Sequence, residues 1–128
     1  MEIQILDNMH PKYATLKPWQ YHGSIYGIAP ARRGFLRPAG QWNDETVICD
    51  GHQVTVVLNG HVIVHVDLQD VAKAGCIDGN AHQGMLRPGG HIGFCGHGSE
   101  VAFRDIRIRL LEPSTVTVPQ DKDAEATS

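Results

Sequence analysis

At 128 residues and a formal charge of −3, from 11 Lys+Arg against 14 Asp+Glu, the chain has room for one domain with a core of useful size. Its basic residues are scattered, which argues against a nucleic-acid or anionic-membrane partner and favours neutral polar ligands. No run approaches the roughly 20 apolar residues of a membrane helix and no charged-then-apolar leader opens the chain, so its location is undetermined.

The chain opens on a strand pattern. Glu2, Gln4 and Leu6 share one face, and Ile3, Ile5 and Asp7 share the other, so a carboxylate and an amide point together. With Gln4 and Leu6 following Glu2, this face carries one carboxylate, short of the pair about 5 Å apart that two-carboxylate catalysis requires. Residues 8 to 45 are loop-heavy, with Pro11, Pro18, Pro30 and Pro38 and the aromatics Tyr13, Trp19, Tyr21 and Tyr26. Long ordered loops in a small β-domain are commonly binding loops. Ser24 to Ile28 is expected to be a short strand within this region. Tyr26 and Trp42 offer broad apolar contact with a polar tip or edge, although Trp42 also suits the core, and Asn43 is open between a ligand and a local turn.

Thr46 to Cys49, Gln53 to Leu58 and Val62 to Val66 are rich in β-branched residues and joined by Asp50-Gly51 and Asn59-Gly60. These dipeptides favour tight hairpins, which predicts an antiparallel meander. In the middle strand Val54, Val56 and Leu58 form the core face; in the third, His65 falls on the more polar side and reads as a solvated strand histidine. Helical periodicity is confined to Leu68 to Ala74, so the class is all-β. A second loop, Gly75 to Gly90, holds His82 and Arg87.

The run from Gly89 to Ile108 feeds a glycine-studded turn with His91 and His97 into an apolar and basic strand. Its apolar phase slips by one between Phe103 and Ile106, which predicts a β-bulge at Arg104-Asp105, where the two side chains either pair or bind sugar hydroxyls. The glycines flanking His97 permit close approach to a ligand or serve a tight turn. Residues 112 to 128 are polar and unpatterned and read as a disordered tail after a domain of residues 1 to 111.

Cys49, Cys76 and Cys95 lack a Cys-x-x-Cys pair and read as free thiols. Eight histidines raise the question of a metal. His61 and His65, on one face of a strand, are separated by about 13 Å and cannot share an ion, and no metal motif supports His91 or His97. No metal or cofactor is expected, and phosphate loops, dinucleotide fingerprints and Gly-x-Ser-x-Gly elbows are absent.

Five collinear segments carry a resemblance: Glu2-Ile3-Gln4-Ile5-Leu6-Asp7-Asn8, His22-Gly23-Ser24-Ile25-Tyr26-Gly27, Gly40-Gln41-Trp42-Asn43, Leu58-Asn59-Gly60 and the Gly89 to Ile108 run. Over most of residues 1 to 110 the chain resembles the 3-keto-disaccharide hydrolase domain family. That likeness implies a concanavalin A-like lectin/glucanase β-sandwich, a jelly roll, here incomplete at its N-terminus because the family's Glu-x-Gln-Ile-x-Asp strand normally lies in mid-domain. It implies an oxidised glycoside as substrate. A ketone at C3 acidifies the C2 hydrogen, so one base suffices to start elimination of the C1 substituent, after which water adds back. Glu2 and His97 are the candidate base and acid, in either assignment, with Gln4, Asp7, His22, Tyr26, Trp42, Asn43, Arg104 and Asp105 as candidate sugar contacts. Relatives usually have Gln-Asp-His-Gly where this chain has Cys95-Gly96-His97-Gly98, and Asn in place of Asp105, which weakens the transfer of the side chains beside His97. A carbohydrate-binding module without turnover, and a nonfunctional fragment that self-associates through an unpaired strand edge, are the alternatives.

Overall fold

The β-branched clusters become β1 (Glu45–Asp50), β2 (Gln53–Leu58) and β3 (His61–Asp67), an antiparallel sheet in the order β1-β2-β3. The computed structural model describes residues 1–112 and 119. Asn59 and Gly60 both take positive φ, 50° and 84°, and sit between the paired Leu58 and His61, as a two-residue hairpin of right-handed twist requires. The first hairpin is offset by one from its sequence reading. Asp50 pairs with Gln53, so its loop residues are Gly51 and His52, with the positive φ of 59° on Gly51.

Between β2 and β3 the register shifts. Val56 pairs with Val64 and Val57 with Val62, which leaves Ile63 as the extra residue of a bulge. The displaced Ile63 is buried and packs against Gly23, where an added Cβ would collide with its Cδ1. Both faces of β2 are buried from Val54 to Leu58, including Thr55, so the middle strand is covered more completely than one-face alternation implies. Thr55 bonds its cross-strand neighbour His65 through Oγ1 and Nδ1 at 2.8 Å, and His65 stays exposed on the polar side as expected.

Leu68–Ala74 forms the short helix α1. Asp67 caps it by accepting the Gln69 N–H, and Gly75, at φ 92°, ends it. Leu68 on this helix joins Ile25, Ile28, Ala29 and Ala31 against Val54, Val56, Leu58, Ile63 and Val64 to form the core. A loop segment, rather than a second sheet, therefore supplies much of the packing on this sheet.

The opening segment pairs with that loop. Gln4 donates to the Ser24 carbonyl at 2.9 Å and Tyr26 donates to the Glu2 carbonyl at 2.9 Å around an Ile3–Ile25 bridge. The strand expected from Ser24 to Ile28 is instead a reversal. Ile25 and Ala29 exchange both backbone hydrogen bonds, at 3.0 and 2.9 Å, with Gly27 at φ 73° between them. A glycine able to take positive φ lets the chain close here where extended pairing would have carried it straight on.

The expected closing strand is corrected too. No strand forms among residues 88 to 112, and Ile92, Phe94, Val101, Phe103, Ile106, Ile108 and Leu110 are exposed. Asp105 does take the positive φ of 53° where a bulge was expected, but without a ladder there is only a local reversal. Apolar alternation makes a segment ready to pair, yet a strand exists only where another backbone supplies its partners. The tail expected over residues 112 to 128 lies, apart from Glu112 and Pro119, outside the described residues.

Candidate functional site

The Tyr26-Gly27 reversal gathers side chains from three parts of the chain. On one side, the bridge at Ile3 places Glu2 across from Tyr26, so the opening carboxylate and this ring are cross-strand neighbours. Proline at the start of a 3₁₀ turn, Pro18–Gln20, carries Trp19 onto Tyr26, with ring centroids 5.0 Å apart and planes at 81°. Gln20 Nε2 donates to the Tyr26 hydroxyl at 3.1 Å. A half-buried aromatic wall with a fixed polar tip results.

On the other side lies a pair that the sequence reading did not single out. Asp78 N–H donates to the Gly27 carbonyl at 3.1 Å, which seats the loop after α1 on the reversal. Asp78 Oδ2 then lies 2.9 Å from His82 Nε2, and its Oδ1 accepts the Asn80 N–H at 2.9 Å. Donation from the Asn80 backbone, helped by His82 and opposed by burial, holds the Asp78 carboxyl below the usual carboxylate range. An ionised carboxylate only accepts, so His82 Nε2 carries the proton and Nδ1 is its second ring nitrogen. Nδ1 makes no hydrogen bond among the described residues, and the side chain keeps 25% of its surface exposed. A Cβ on Gly27 would run into Asp78 Oδ2 and His82 Cε1, so glycine is required both for its φ and for this contact. The sequence signal was faint: Asp78 and His82 are four apart around an Asp-Gly turn, with no periodicity to make them neighbours.

His22, a candidate sugar contact in the sequence, is buried. Its buried ring accepts the Leu6 N–H at Nδ1, 3.1 Å, and its Nε2 lies 2.9 Å from Glu45 Oε1. That last contact is not aligned as a hydrogen bond and acts as an electrostatic one. Its backbone N–H donates to Asn8 Oδ1 at 2.8 Å. Through these contacts His22 fastens the opening segment to β1.

Other expected contacts also serve the chain itself. Asp7 Oδ1 accepts from Met9 N–H, and Gln4 Oε1 from Ile5 N–H, both at 3.1 Å. Asn43 Oδ1 accepts from Arg37 N–H and from Asn59 Nδ2, which settles it in its local turn. Trp42 is exposed rather than core, and Arg104 lies over its ring at 4.0 Å. Arg104 and Asp105 form an exposed ion pair at 3.8 Å. No hydrogen bond, ion pair or ring contact joins this Trp42 group to the Glu2 and Tyr26 group among the described residues. His97 is exposed, Gly98 takes φ 78°, and a Cβ at Gly96 or Gly98 would meet nothing within 4 Å. The chain bends at Gly98 and Ser99, and both glycines stand in open space.

Cys49, Cys76 and Cys95 are free thiols. Burial raises the Cys49 thiol, and burial followed by the Asp78 carboxylate raises Cys76, so both favour the protonated form that is a poor nucleophile. No three His, Cys, Asp or Glu side chains converge as a metal site among the described residues.

The profile of the 3-keto-alpha-glucoside-1,2-lyase-like domain matches residues 1–109. The chain belongs to this family. A crystal structure of a candidate glycosyl hydrolase from Parabacteroides distasonis ATCC 8503 is similar at 32% identity with a TM-score of 0.51, over 53% of this chain and 35% of that one. This member of the lyase-like family thus spans 35% of that protein's length. No curated protein matches the chain. The meander, the Tyr26 reversal and the closing glycine run all fall inside the lyase-like match.

Proposed function

We propose that this chain carries the chemistry of a glycoside-cleaving enzyme acting on 3-keto-α-glucosides, on a lectin/glucanase-like β-sandwich fold. Membership of a family described by 1,2-lyase chemistry supports elimination across C1 and C2. The supporting observation in the chain itself is the placement of Glu2 across from Tyr26, beside the Trp19 ring. A pyranose lying on that wall presents ring hydrogens to a single carboxylate. One base is enough, because the C3 ketone delocalises the charge left at C2 when the proton departs. The electron pair forms the C1–C2 double bond as the C1–O bond breaks, and water later adds to the unsaturated sugar. Glu2 is the base in this reading.

The test follows release of free sugar from a 3-keto-disaccharide, together with deuterium uptake at C2 in heavy water. Glu2→Gln is expected to lower both by about 100- to 10,000-fold, the range for loss of one general base. Wild-type protein that binds the sugar but neither releases nor exchanges it would instead be a carbohydrate-binding module.

A further inference from the structure

We propose that His82, held by Asp78, is the general acid that protonates the departing oxygen at C1. The assignment rests on the eliminative reading above. It stands on the geometry of the reversal. Gly27 lies against the carboxylate and imidazole of the Asp78–His82 pair, while its neighbour Tyr26 is bonded to the backbone of Glu2. The two proton-transfer groups therefore flank one two-residue element, on which the aromatic wall also stands.

Asp78 acts as a positioning residue. Its contact with Nε2 at 2.9 Å selects which ring nitrogen is committed and fixes the plane of the imidazole, so that Nδ1 is the atom able to exchange a proton with a ligand. His22, another histidine beside a carboxylate, has its second nitrogen occupied by the Leu6 N–H and lacks this freedom. In the step, the C2 hydrogen passes as a proton to the Glu2 carboxylate, and its bonding pair forms the C1–C2 double bond. The C1–O pair leaves with the aglycone oxygen, which takes the proton from Nδ1 of the doubly protonated His82 ring. Exchange with water then removes the proton from Glu2 and returns one to His82.

Leaving-group dependence tests this. A sugar leaving group needs a proton as it departs; a 4-nitrophenolate does not. His82→Gln is expected to slow cleavage of a 3-keto-disaccharide by about 100- to 10,000-fold while leaving cleavage of a 3-keto 4-nitrophenyl α-glucoside within a few-fold of wild type, and Asp78→Asn to shift the ratio in the same direction. Retained nitrophenyl activity also shows that the variant is folded. Equal loss on both substrates, no loss on the disaccharide, or a selective loss that follows His97→Ala and not His82→Gln overturns the assignment to His82 and leaves the eliminative reading standing. Wild-type protein inert towards both substrates overturns the two together.

Discussion

Asp78 ties the loop after α1 to the Tyr26 reversal through its backbone N–H, and its carboxylate, bonded to Asn80 and His82 within the loop, sets an acid limit on that tie. Its folded value lies below the ordinary 3.8 because the Asn80 N–H and then His82 favour the ionised form. A depressed carboxylate stabilises the fold above the unfolded value and loses that contribution as pH falls through the folded one. The hydrogen bond from Asp78 N–H to Gly27 is therefore expected to stay protected from exchange near neutral pH and to open as pH drops below 3.8. Amide exchange at Asp78 measures it. In Asp78→Asn the acid step should vanish; an unchanged step there would assign the loosening to another group. At this scale the employment of each residue type depended on its company. Asn43 was open between ligand and turn, and two backbone-held partners, Arg37 and Asn59, claim it for the turn.

Among the elements, those governed by local rules were legible and those needing a distant partner were not. The meander followed from β-branched runs and turn dipeptides, and α1 from its period, while its caps Asp67 and Gly75 emerged only in the structure. The Tyr26 reversal was mistaken for a strand because Ser24 to Ile28 has strand-like composition, and only the double exchange between Ile25 and Ala29 reveals the turn. Its dependence on glycine can be measured. Gly27→Ala forces a Cβ into Asp78 and His82 at a positive φ, and should lower unfolding free energy by about 1–3 kcal/mol. Gly89→Ala, where an added Cβ meets nothing and φ is not positive, should stay within about 0.5 kcal/mol. Denaturant titration of both variants separates the local contact from a general glycine effect; equal changes would remove the special role of Gly27.

Over the whole molecule, apolar surface is unevenly placed. β1 has no backbone partner on its outer side among the described residues, its Val47 is exposed, and the run from Ile92 to Leu110 exposes alternating large apolar side chains. Strand edges with that character pair with other chains. The chain is therefore expected to self-associate with rising concentration in sedimentation velocity, and Ile106→Lys with Ile108→Lys to shift it toward monomer. Each isoleucine removed from an interface forfeits about 1.5–3 kcal/mol of apolar burial. A wild-type monomer at every concentration would contradict this. The sequence by itself determined the antiparallel meander, the short helix and the family, because turn chemistry, periodicity and motif order act over a few residues. Tertiary structure alone decided that His22 is locked beneath the surface, that the closing run finds no ladder, and that Asp78 and His82 meet Gly27. Those outcomes depend on where remote loops come to rest, which hydrogen bonds between distant backbone groups settle and no local pattern encodes.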